Sequence, residues 1–277
     1  MPERPPDLDP APGAVADAAV RRVRGNGMEE RTDRVAVEAP LEIRLGGKPA
    51  TVLMRTPGHD EELVRGFLYS EGMITSLADV VSITRPENLT GDERGNVLAV
   101  ELTRGAAAPA MERAFYSSSS CGVCGKTSIA ALAVRAQAIA SGFTIRRDVL
   151  ERLPETLRAA QPAFAQTGGV HASGFFTEDG TLVAVREDVG RHNALDKLLG
   201  WALEAGRIPL SDFALLVSGR VSFELVQKAV AGGVPLLAAV GAPSSLAVDL
   251  AEQFGITLVG FLRPGSMNVY AGADRVR

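Results

Sequence analysis

The chain has 277 residues, of which 46% are hydrophobic, and its 29 basic and 33 acidic side chains give a formal net charge of −4. This length fits one large domain or two small ones with a sizeable core. The chain has no excess of basic residues of the kind that binds nucleic acid. No apolar run approaches the ~18 residues of a membrane span. Residues 1–20 lack the apolar core of a secretory signal, so we expect a cytoplasmic protein.

In the first half of the chain, the sequence predicts a disordered tail followed by a small β-rich α+β portion. Residues 1–30 are rich in proline and small residues and show no periodicity, which is typical of disorder. An apolar stripe predicts a helix at residues 61–70, and short apolar runs predict strands at residues 35–37, 41–45, 51–55, 80–84 and 96–102. A glycine-, alanine- and proline-rich loop at residues 104–109 marks the boundary, so the N-terminal portion spans residues 31–113.

Residues 114–277 form the second predicted domain, in which short apolar strands alternate with short helices. Strands are predicted at residues 170–176, 181–186, 213–217, 235–240 and 256–261. Helices are predicted at residues 128–140, 146–159, 193–204, 222–231 and 244–254. This alternation indicates parallel β-α-β units, whose ligands bind beyond the carboxyl ends of the strands. The candidate ligand-binding loops therefore follow three of the strands, at residues 218–220, 241–245 and 262–266.

Both cysteines of the protein lie in the segment Ser-Ser-Ser-Ser-Cys-Gly-Val-Cys-Gly-Lys at residues 117–126, where a helix is predicted to begin. Backbone amides and the helix dipole lower the pKa of a thiol at such a position, and Lys126 adds a positive charge. In a reducing compartment, Cys121 and Cys124 are too close together for a structural disulfide framework. Their spacing indicates a catalytic, redox or metal-binding role.

Three interpretations of this cysteine pair stay open from the residues alone. The first is two ordinary cysteines at a helix start. The second is a zinc site, which needs about four ligands, whereas the available histidines do not stand at zinc-site spacing: His59, His171 and His192. The third, favoured by the activated position, is a nucleophilic or sulfur-carrying cysteine. Spacing does not separate dithiol redox exchange from persulfide carriage.

Two further segments carry imidazole or charged side chains. His171 begins a glycine-flanked strand, where an isolated histidine is more often hydrogen-bonded in the core than functional. Residues 186–197 crowd charged side chains into a strand-to-helix turn. This is typical of a solvated turn with Asn193 as helix N-cap, and equally of an anion site formed by Arg186, Arg191 and the helix N-terminus.

Two arginines stand in loops that follow predicted strands. Arg220, in Ser-Gly-Arg at residues 218–220, precedes a helix and is compatible with a phosphate cradle, although the full P-loop pattern is absent. Arg263 ends the last predicted strand and is followed by a flexible Gly-Ser pair. We expect both arginines at the same edge of the sheet.

Several long and idiosyncratic segments occur in a fixed order along the chain. They include Arg-Thr-Pro-Gly-His-Asp-Glu-Glu-Leu at 55–63, Ser-Ser-Cys-Gly-Val-Cys-Gly at 119–125, Gly-Val-His at 169–171, Arg-Glu-Asp-Val-Gly-Arg-His-Asn-Ala at 186–194, Ser-Gly-Arg at 218–220 and Gly-Phe-Leu-Arg at 260–263. Together they resemble the FdhD/NarQ family of formate dehydrogenase accessory sulfurtransferases. The resemblance covers residues 35–272, nearly the whole ordered chain.

The resemblance implies an α/β fold, with a cytidine-deaminase-like α/β/α domain and a mixed sheet joined to the smaller N-terminal portion. It implies that a cysteine desulfurase loads a persulfide on Cys121, while the role of Cys124 stays open. The sulfur would then pass to the molybdenum cofactor, as bis(molybdopterin guanine dinucleotide), before insertion into the catalytic subunit of formate dehydrogenase. It also implies a homodimer. The cofactor is cargo, and we expect no structural metal.

The resemblance also assigns candidate cofactor-binding residues. The family's cofactor-binding stretch corresponds to Phe261, Leu262, Arg263, Pro264, Gly265 and Ser266. Of these, Phe261 and Arg263 match the family pattern best. From their loops and charge we add Arg220 and Arg191 as anchors for the cofactor's phosphates, with His171 and His192 as further donors.

Hydrolytic deamination is not expected, although the implied fold is shared with deaminases. Zinc deaminases carry His-x-Glu followed later by Pro-Cys-x-x-Cys. Here the cysteine pair comes first, Ser120 replaces the proline, and Ser173 stands where the glutamate after His171 would be. The prediction is a sulfurtransferase. The alternatives are a cofactor-binding chaperone without sulfur transfer and a dithiol oxidoreductase.

Overall fold

The computed structural model describes residues 9–103 and 138–277. Within these ranges the chain is a mixed α/β structure with sheets of two, four and six strands. The predicted boundary loop at 104–109, the division after residue 113 and most of the helix predicted at 128–140 lie outside the described residues. Residues 138–140, the described end of that segment, are not helical.

An antiparallel hairpin begins the described chain. Its strands, β1 (Val15–Arg24) and β2 (Gly27–Ala36), pair along their whole length. Opposite charges face each other across the hairpin, as where Arg21 Nε lies 3.2 Å from Glu30 Oε1. The prediction of a disordered tail over residues 1–30 is therefore wrong from residue 15 onward. The two strands carry opposite charges that face each other across the hairpin and have no regular alternation of apolar residues. A search for apolar alternation therefore does not detect these strands.

The four-stranded sheet and its helix form the smaller N-terminal portion. Helix α1 (Asp60–Ser70) packs Leu63, Val64 and Leu68 against the sheet's apolar face. β3 runs parallel to β6, and the other neighbouring pairs are antiparallel. The strands, in the order β4-β3-β6-β5, are β3 (Ala39–Leu45), β4 (Lys48–Arg55), β5 (Val80–Thr84) and β6 (Val97–Leu102). The predictions for residues 41–102 in this portion are confirmed.

The six-stranded sheet is mixed, with three parallel strands at its centre. Its strands, in the order β12-β11-β10-β9-β7-β8, are β7 (His171–Phe176), β8 (Leu182–Asp188), β9 (Ala214–Val217), β10 (Leu236–Ala239), β11 (Thr257–Arg263) and β12 (Ser266–Ala271). β9, β10 and β11 are parallel, whereas β7 and β12 run in the opposite direction. The predicted mixed sheet is confirmed, and β12 was not predicted.

Helices cover both faces of this sheet. On β9, Leu215 and Val217 face one apolar core while Ala214 and Leu216 face the other, as the two-residue period of a strand requires. The first core lies under α5 (Arg191–Glu204), α6 (Phe223–Gly232) and α7 (Ser245–Phe254). The second lies under α2 (Arg147–Leu150) and α3 (Leu153–Ala159), which α4 (Pro162–Thr167) follows. The layers agree with the predicted α/β/α order, and likeness to cytidine deaminases stays a prediction.

The single helix predicted at residues 146–159 is wrong. Two short helices, α2 and α3, replace it, and Pro154 lies in the first turn of α3. A proline inside a longer helix would remove one hydrogen bond and clash with the carbonyl four residues before it. The chain therefore ends one helix and begins another.

Helix α1 joins the N-terminal portion to the six-stranded sheet by lying directly against α5. A Cβ on Gly66 of α1 would overlap the carbonyl oxygen of Asp196, and a Cβ on Gly200 of α5 would overlap that of Glu62. Two glycines thus permit the two helix backbones to touch. Beside this contact, buried Lys228 of α6 lies 2.9 Å from both carboxylate oxygens of Asp196.

Replacing Gly200 with alanine should force α1 and α5 apart. We expect Gly200→Ala to lower the free energy of unfolding by about 2 kcal/mol or more, because the new methyl group overlaps backbone that cannot move independently. Urea unfolding measures the change. Gly142→Ala is the control, since no atom lies within 4 Å of its added Cβ. Equal stability of Gly200→Ala and the wild type would contradict the close packing.

Candidate functional site

One edge of the six-stranded sheet gathers most of the predicted site residues. The carboxyl ends of β8, β9, β10 and β11 meet there with the amino ends of β7 and β12. His171 begins β7, and Arg263 ends β11. We call this the polar edge; it comprises residues 168–171, 188–192, 218–224, 240–244 and 261–266.

Three helices begin at the polar edge. The N-cap residues of α5, α6 and α7 are Gly190, Ser222 and Ser244. Ser244 caps its own helix by accepting a hydrogen bond from the Ala247 amide, whereas Gly190 and Ser222 form no side-chain cap. Amides in the first turn of a helix lack intrahelical partners, and the helix dipole adds positive potential. The polar edge is therefore suited to an anion.

Asp188, fully buried at the end of β8, accepts three hydrogen bonds and forms an ion pair with Lys197. Its Oδ1 accepts from the Gly190 amide at 2.8 Å and from Asn193 Nδ2 at 3.0 Å. Its Oδ2 accepts from the Thr56 amide at 3.0 Å and lies 2.8 Å from Lys197 Nζ. Lys197, also buried, donates to the Thr56 carbonyl oxygen at 2.8 Å. One carboxylate thus fastens the chain after β4 to the first turns of α5.

Arg186 forms an ion pair with Glu62 of α1. Its Nε and Nη2 atoms donate to the two carboxylate oxygens of Glu62 at 2.5 and 2.6 Å. His59 Nδ1 lies 3.4 Å from the same carboxylate. The interpretation of Arg186 as an anion ligand is wrong, because a carboxylate already fills its bidentate fork.

The turn before α5 is half-buried, and Asp188 and Asn193 at its two ends are buried. Asn193, interpreted as the N-cap, lies within the first turn and donates to the Met54 carbonyl oxygen at 2.7 Å. The helix begins two residues earlier than predicted, after Gly190, whose amide Asp188 holds. Both the N-cap assignment and the solvated turn are therefore wrong, and Arg191 and His192 are left at the polar edge.

His171 packs against the loop that follows β9. The Ser218 amide donates to the Ala172 carbonyl oxygen, and the Ala172 amide donates to Ser218 Oγ, both at 2.9 Å. A Cβ on Gly219 would lie 3.2 Å from His171 Nδ1. Burial lowers the pKa of His171, and the charge of Arg191 lowers it further, so the ring is neutral at pH 7. The ring has no hydrogen-bond partner among residues 9–103 and 138–277, contrary to the expected core histidine.

His192 lies between α5 and α6. Its Nε2 atom is 3.3 Å from Ser222 Oγ and 3.9 Å from the carboxylate of Glu224. Burial, followed by the charge of Arg191, lowers the pKa of His192 to about 4. His171 also acts electrostatically on this ring, so the structure brings the two histidines into one cluster.

Arg191 and Arg220 supply the positive charge around His171. Both guanidinium groups lower the pKa of that imidazole. Arg191 Nε is buried and has no hydrogen-bond partner in the described part of the chain. Arg220 is exposed and forms no ion pair with any described residue. The predicted anchors Arg191 and Arg220 are thus placed together at the polar edge.

Backbone contacts connect the loops along the polar edge. The Gly241 amide donates to the Gly219 carbonyl oxygen at 3.1 Å, and the Phe261 amide donates to the Gly241 carbonyl oxygen at 3.0 Å. A Cβ on Gly241 would lie 2.8 Å from the Gly219 carbonyl oxygen, so glycine is required for this approach. The edge is a continuous backbone ledge from β9 to β11.

The side chain of Phe261 is accessible to a ligand, whereas that of Leu262 is buried. Phe261 has a left-handed φ of 52°, and its ring is on the surface, with the residue 47% exposed. Leu262 is 1% exposed and packs in the core under α2 and α3. Its side chain therefore cannot contact a cofactor at the surface, and a binding role for Leu262 is limited to its backbone.

The rest of the predicted stretch forms the tight turn between β11 and β12. Arg263 pairs with Ser266 across this turn, and Pro264 and Gly265 at its tip are exposed. Gly265 takes a left-handed φ of 75°, and its amide donates to the Glu151 carboxylate at 3.3 Å. Arg263 is exposed and has no ion-pair partner within the described ranges.

Cys121 and Cys124 lie outside the described residues. Among the residues that the structure does describe, no group of three or more histidine, cysteine or acidic side chains could hold a metal ion. Nor does any helix in those ranges have the length and apolarity needed to cross a membrane.

No role was predicted from the sequence for Asp188, Ser222 or Glu224. One sequence feature could have indicated the role of Asp188. An aspartate whose side chain accepts a hydrogen bond from the amide two residues later is typical of a turn before a helix. No local sequence pattern indicates a role for Ser222 or Glu224, because only the packing of α5 against α6 brings these residues to His192.

The chain is similar along most of its length to proteins of one family. The profile of the FdhD/NarQ family matches residues 36–277. A Nocardia farcinica protein named sulfur carrier protein FdhD is 54% identical over 269 residues, or 95% of each chain. The protein of that name in Mycobacterium tuberculosis is 52% identical over 272 residues, covering 95% of this chain and 99% of its own.

Solved structures include one similar protein from Desulfotalea psychrophila, described as a formate dehydrogenase accessory protein. Its sequence is 25% identical to this chain. The alignment covers 95% of this chain and 100% of the other, with a TM-score of 0.73. The α/β architecture is therefore shared over nearly the whole length.

Removing the charge of Asp188 should leave Lys197 as an unpaired buried cation. We expect Asp188→Asn to lower the free energy of unfolding by about 3–5 kcal/mol, measured by urea denaturation. The double variant Asp188→Asn with Lys197→Met should recover part of this loss because it removes the orphaned charge. A loss below about 0.5 kcal/mol in the single variant would show that the carboxylate is not a structural centre.

Neutral His192 should make stability depend on pH. Because the folded pKa of about 4 lies below the ordinary value of 6.5, the unfolded chain binds the proton first, and stability falls as pH drops from 6.5 towards 4. From pH 7 to 4.5, the wild type should lose about 2 kcal/mol more than His192→Gln. Urea unfolding of both proteins at the two pH values measures this. Equal losses would mean that His192 is not buried in its neutral form.

Proposed function

The chain belongs to the FdhD/NarQ family, and from this premise we propose that it is a sulfur carrier required for formate dehydrogenase activity. Cys121 accepts sulfur from a cysteine desulfurase and passes it to the molybdenum cofactor, as bis(molybdopterin guanine dinucleotide), before insertion into formate dehydrogenase. The names of the relatives support the sulfur-carrying role and the link to that enzyme. The polar edge supports the binding of a phosphate-bearing cofactor.

The proposed chemistry at Cys121 is sulfur exchange. The Cys121 thiolate attacks the outer sulfur of the desulfurase persulfide, forming a new S–S bond. The original S–S bond breaks, and the desulfurase cysteine leaves as a thiolate. A persulfide is more acidic than a thiol, so the loaded sulfur is a good nucleophile toward the cofactor's metal. Delivery then breaks the S–S bond to Cys121, with two electrons supplied by a thiol reductant, and leaves Cys121 as a thiolate. The predicted helix start and Lys126 favour both anions, and Cys124 assists or protects through a transient disulfide.

The observation that carries the cofactor-binding part is the buried Arg191 Nε atom at the start of α5, for which residues 9–103 and 138–277 offer no hydrogen-bond acceptor. A buried donor without an acceptor costs free energy that an incoming anion would offset. The cargo has several phosphates, and Arg191, Arg220 and Arg263 offer guanidinium groups along one edge. The exposed ring of Phe261 adds an apolar surface for a flat heterocycle. The residues of the polar edge therefore fit the cargo.

The proposal includes a cytoplasmic homodimer, as the family resemblance implies. Size-exclusion chromatography with light scattering measures the mass of the particle. A mass near twice that of the 29.1 kDa chain is expected, and a monomer at micromolar concentration would contradict the dimer.

Sulfur carriage is tested by loading the protein with a cysteine desulfurase and cysteine and measuring its intact mass. The wild type should gain sulfur that a reductant removes, and Cys121→Ala should gain none. Cys124→Ala is the matched control and should still be loaded. A loaded Cys121→Ala variant that still supports formate dehydrogenase would remove Cys121 as the carrier.

The same variants separate the two alternatives. A chaperone without sulfur transfer predicts full formate dehydrogenase activity with Cys121→Ala. A dithiol oxidoreductase predicts a stable Cys121–Cys124 disulfide and turnover on model disulfides.

A further inference from the structure

We propose that the hairpin of β1 and β2 is a dimerisation arm, in which β1 pairs edge to edge with β1 of a second copy of this chain. The proposal rests on the homodimer of the proposed function and assigns one of its interfaces. The family profile matches residues 36–277, so the hairpin lies almost wholly before the matched part of the chain. Pairing would join two hairpins into one four-stranded sheet, in the order β2-β1-β1-β2.

The hairpin extends from the rest of the described structure. Every residue from 23 to 35 is exposed, and Val23 and Met28, which face each other near the tip, are 63% and 67% exposed. Within residues 9–103 and 138–277, β1 and β2 pair only with each other. Ten residues per strand correspond to about 33 Å of extended chain. A two-stranded hairpin is marginally stable alone, and its unpaired edges are templates for another strand.

The outer edge of β1 is more accessible than that of β2. Helix α4 packs mainly against β2. At the end of β2, a Cβ on Gly169 would lie 3.3 Å from the Cβ of Ala36. We therefore assign the pairing with a second copy to β1.

The backbone geometry of the hairpin determines which residues of β1 can pair outward. Its turn has two residues, Gly25 and Asn26, so Arg24 and Gly27 form the hydrogen-bonded pair that closes it. Bonded and non-bonded pairs alternate along an antiparallel ladder. The odd-numbered residues of β1 therefore direct their amides and carbonyls to the outer edge. A second strand must place its own odd-numbered residues opposite them.

The charges of β1 are self-complementary in one such register. If the two-fold axis passes through Ala19, Arg21 of each copy lies opposite Asp17 of the other. Within each hairpin, Arg21 already faces Glu30, and Asp17 faces Arg34. Opposite charges on facing strands stabilise a sheet, and like charges destabilise it. Across the four strands this register gives a row of charges that alternate in sign: Glu30, Arg21, Asp17 and Arg34.

The neighbouring registers lack this complementarity. An axis through Ala18 would place Asp17 opposite Ala19, and an axis through Val20 would place Asp17 opposite Val23. Neither register forms an ion pair between the copies. The register centred on Ala19 also brings the exposed Val23 opposite Val15 of the second copy, so that the apolar tip of one hairpin meets the base of the other.

The first test places proline at the outer edge of each strand in the full-length protein. Ala19 and Thr32 face each other and direct their amides outward, so proline at either position removes no hydrogen bond within the hairpin. Ala19→Pro should weaken dimerisation at least tenfold in sedimentation equilibrium. Thr32→Pro is the matched control and should dimerise within threefold of the wild type. Unchanged dimerisation of Ala19→Pro, or an equal or larger loss in Thr32→Pro, would overturn the assignment to β1.

The second test uses charge reversal to separate contacts between copies from contacts within one hairpin. Asp17→Arg alone and Arg21→Asp alone each place like charges opposite each other between copies, and each should weaken dimerisation at least tenfold. A mixture of the two variants should form a heterodimer within threefold of the wild-type affinity. In that heterodimer both pairs between copies have opposite signs, whereas the contacts within each hairpin stay broken.

Native mass spectrometry of the mixture identifies the heterodimer by its mass. A mixture that associates no more tightly than either variant alone would overturn the register. This outcome holds even if both substitutions loosen the hairpins, because each variant alone carries the same local loss.

Failure of this interface can be told apart from failure of the proposed function. A wild type that stays monomeric at micromolar concentration would reject the homodimer and the arm together. A dimeric wild type whose affinity is unchanged in Ala19→Pro would reject the arm alone. Sulfur loading does not depend on the arm, so Ala19→Pro should still accept sulfur from a desulfurase.

Discussion

The carboxylate of Asp188 is held in the protein interior by three hydrogen bonds and an ion pair, and two parts of the molecule meet around it. Thr56 follows the last residue of β4, while Gly190 and Asn193 belong to the start of α5. Lys197 balances the charge one turn further along the helix. A buried ion pair is tolerated when every remaining donor and acceptor is satisfied, as it is here. The N-terminal portion and the polar edge are therefore fixed to one another.

This arrangement also determines the electrostatics of the polar edge. Because Asp188 is paired with Lys197, and Arg186 with Glu62, the acids near the start of α5 do not neutralise Arg191. The two histidines are neutral, so the positive charge comes from arginine and from helix N-termini. The proposed sulfur carrier would hold a highly charged cargo and release it to another protein. An edge with separate, partly exposed anchors is suited to such reversible binding.

The periodicity of the apolar residues predicts much of the fold. The loops that follow predicted strands indicate much of the candidate site. The strands and helices of residues 41–102 and 191–263 are apolar on one or two faces, which periodicity detects. The hairpin at residues 15–36 is paired through charges such as Arg21–Glu30, so periodicity missed it. Arg186 and Asn193 were misassigned because their partners, Glu62 and Met54, are more than 120 residues away. No local pattern shows which arginine of a turn is already paired.

The central claim is that the polar edge holds the phosphate-bearing cargo. Hydrogen–deuterium exchange of the full-length protein, with and without bis(molybdopterin guanine dinucleotide) cofactor, tests it most directly. The account predicts slower exchange in peptides covering residues 188–193, 218–224 and 261–266. Protection confined to the opposite edge of the sheet, for example residues 204–213, or no protection at saturating cofactor, would contradict it.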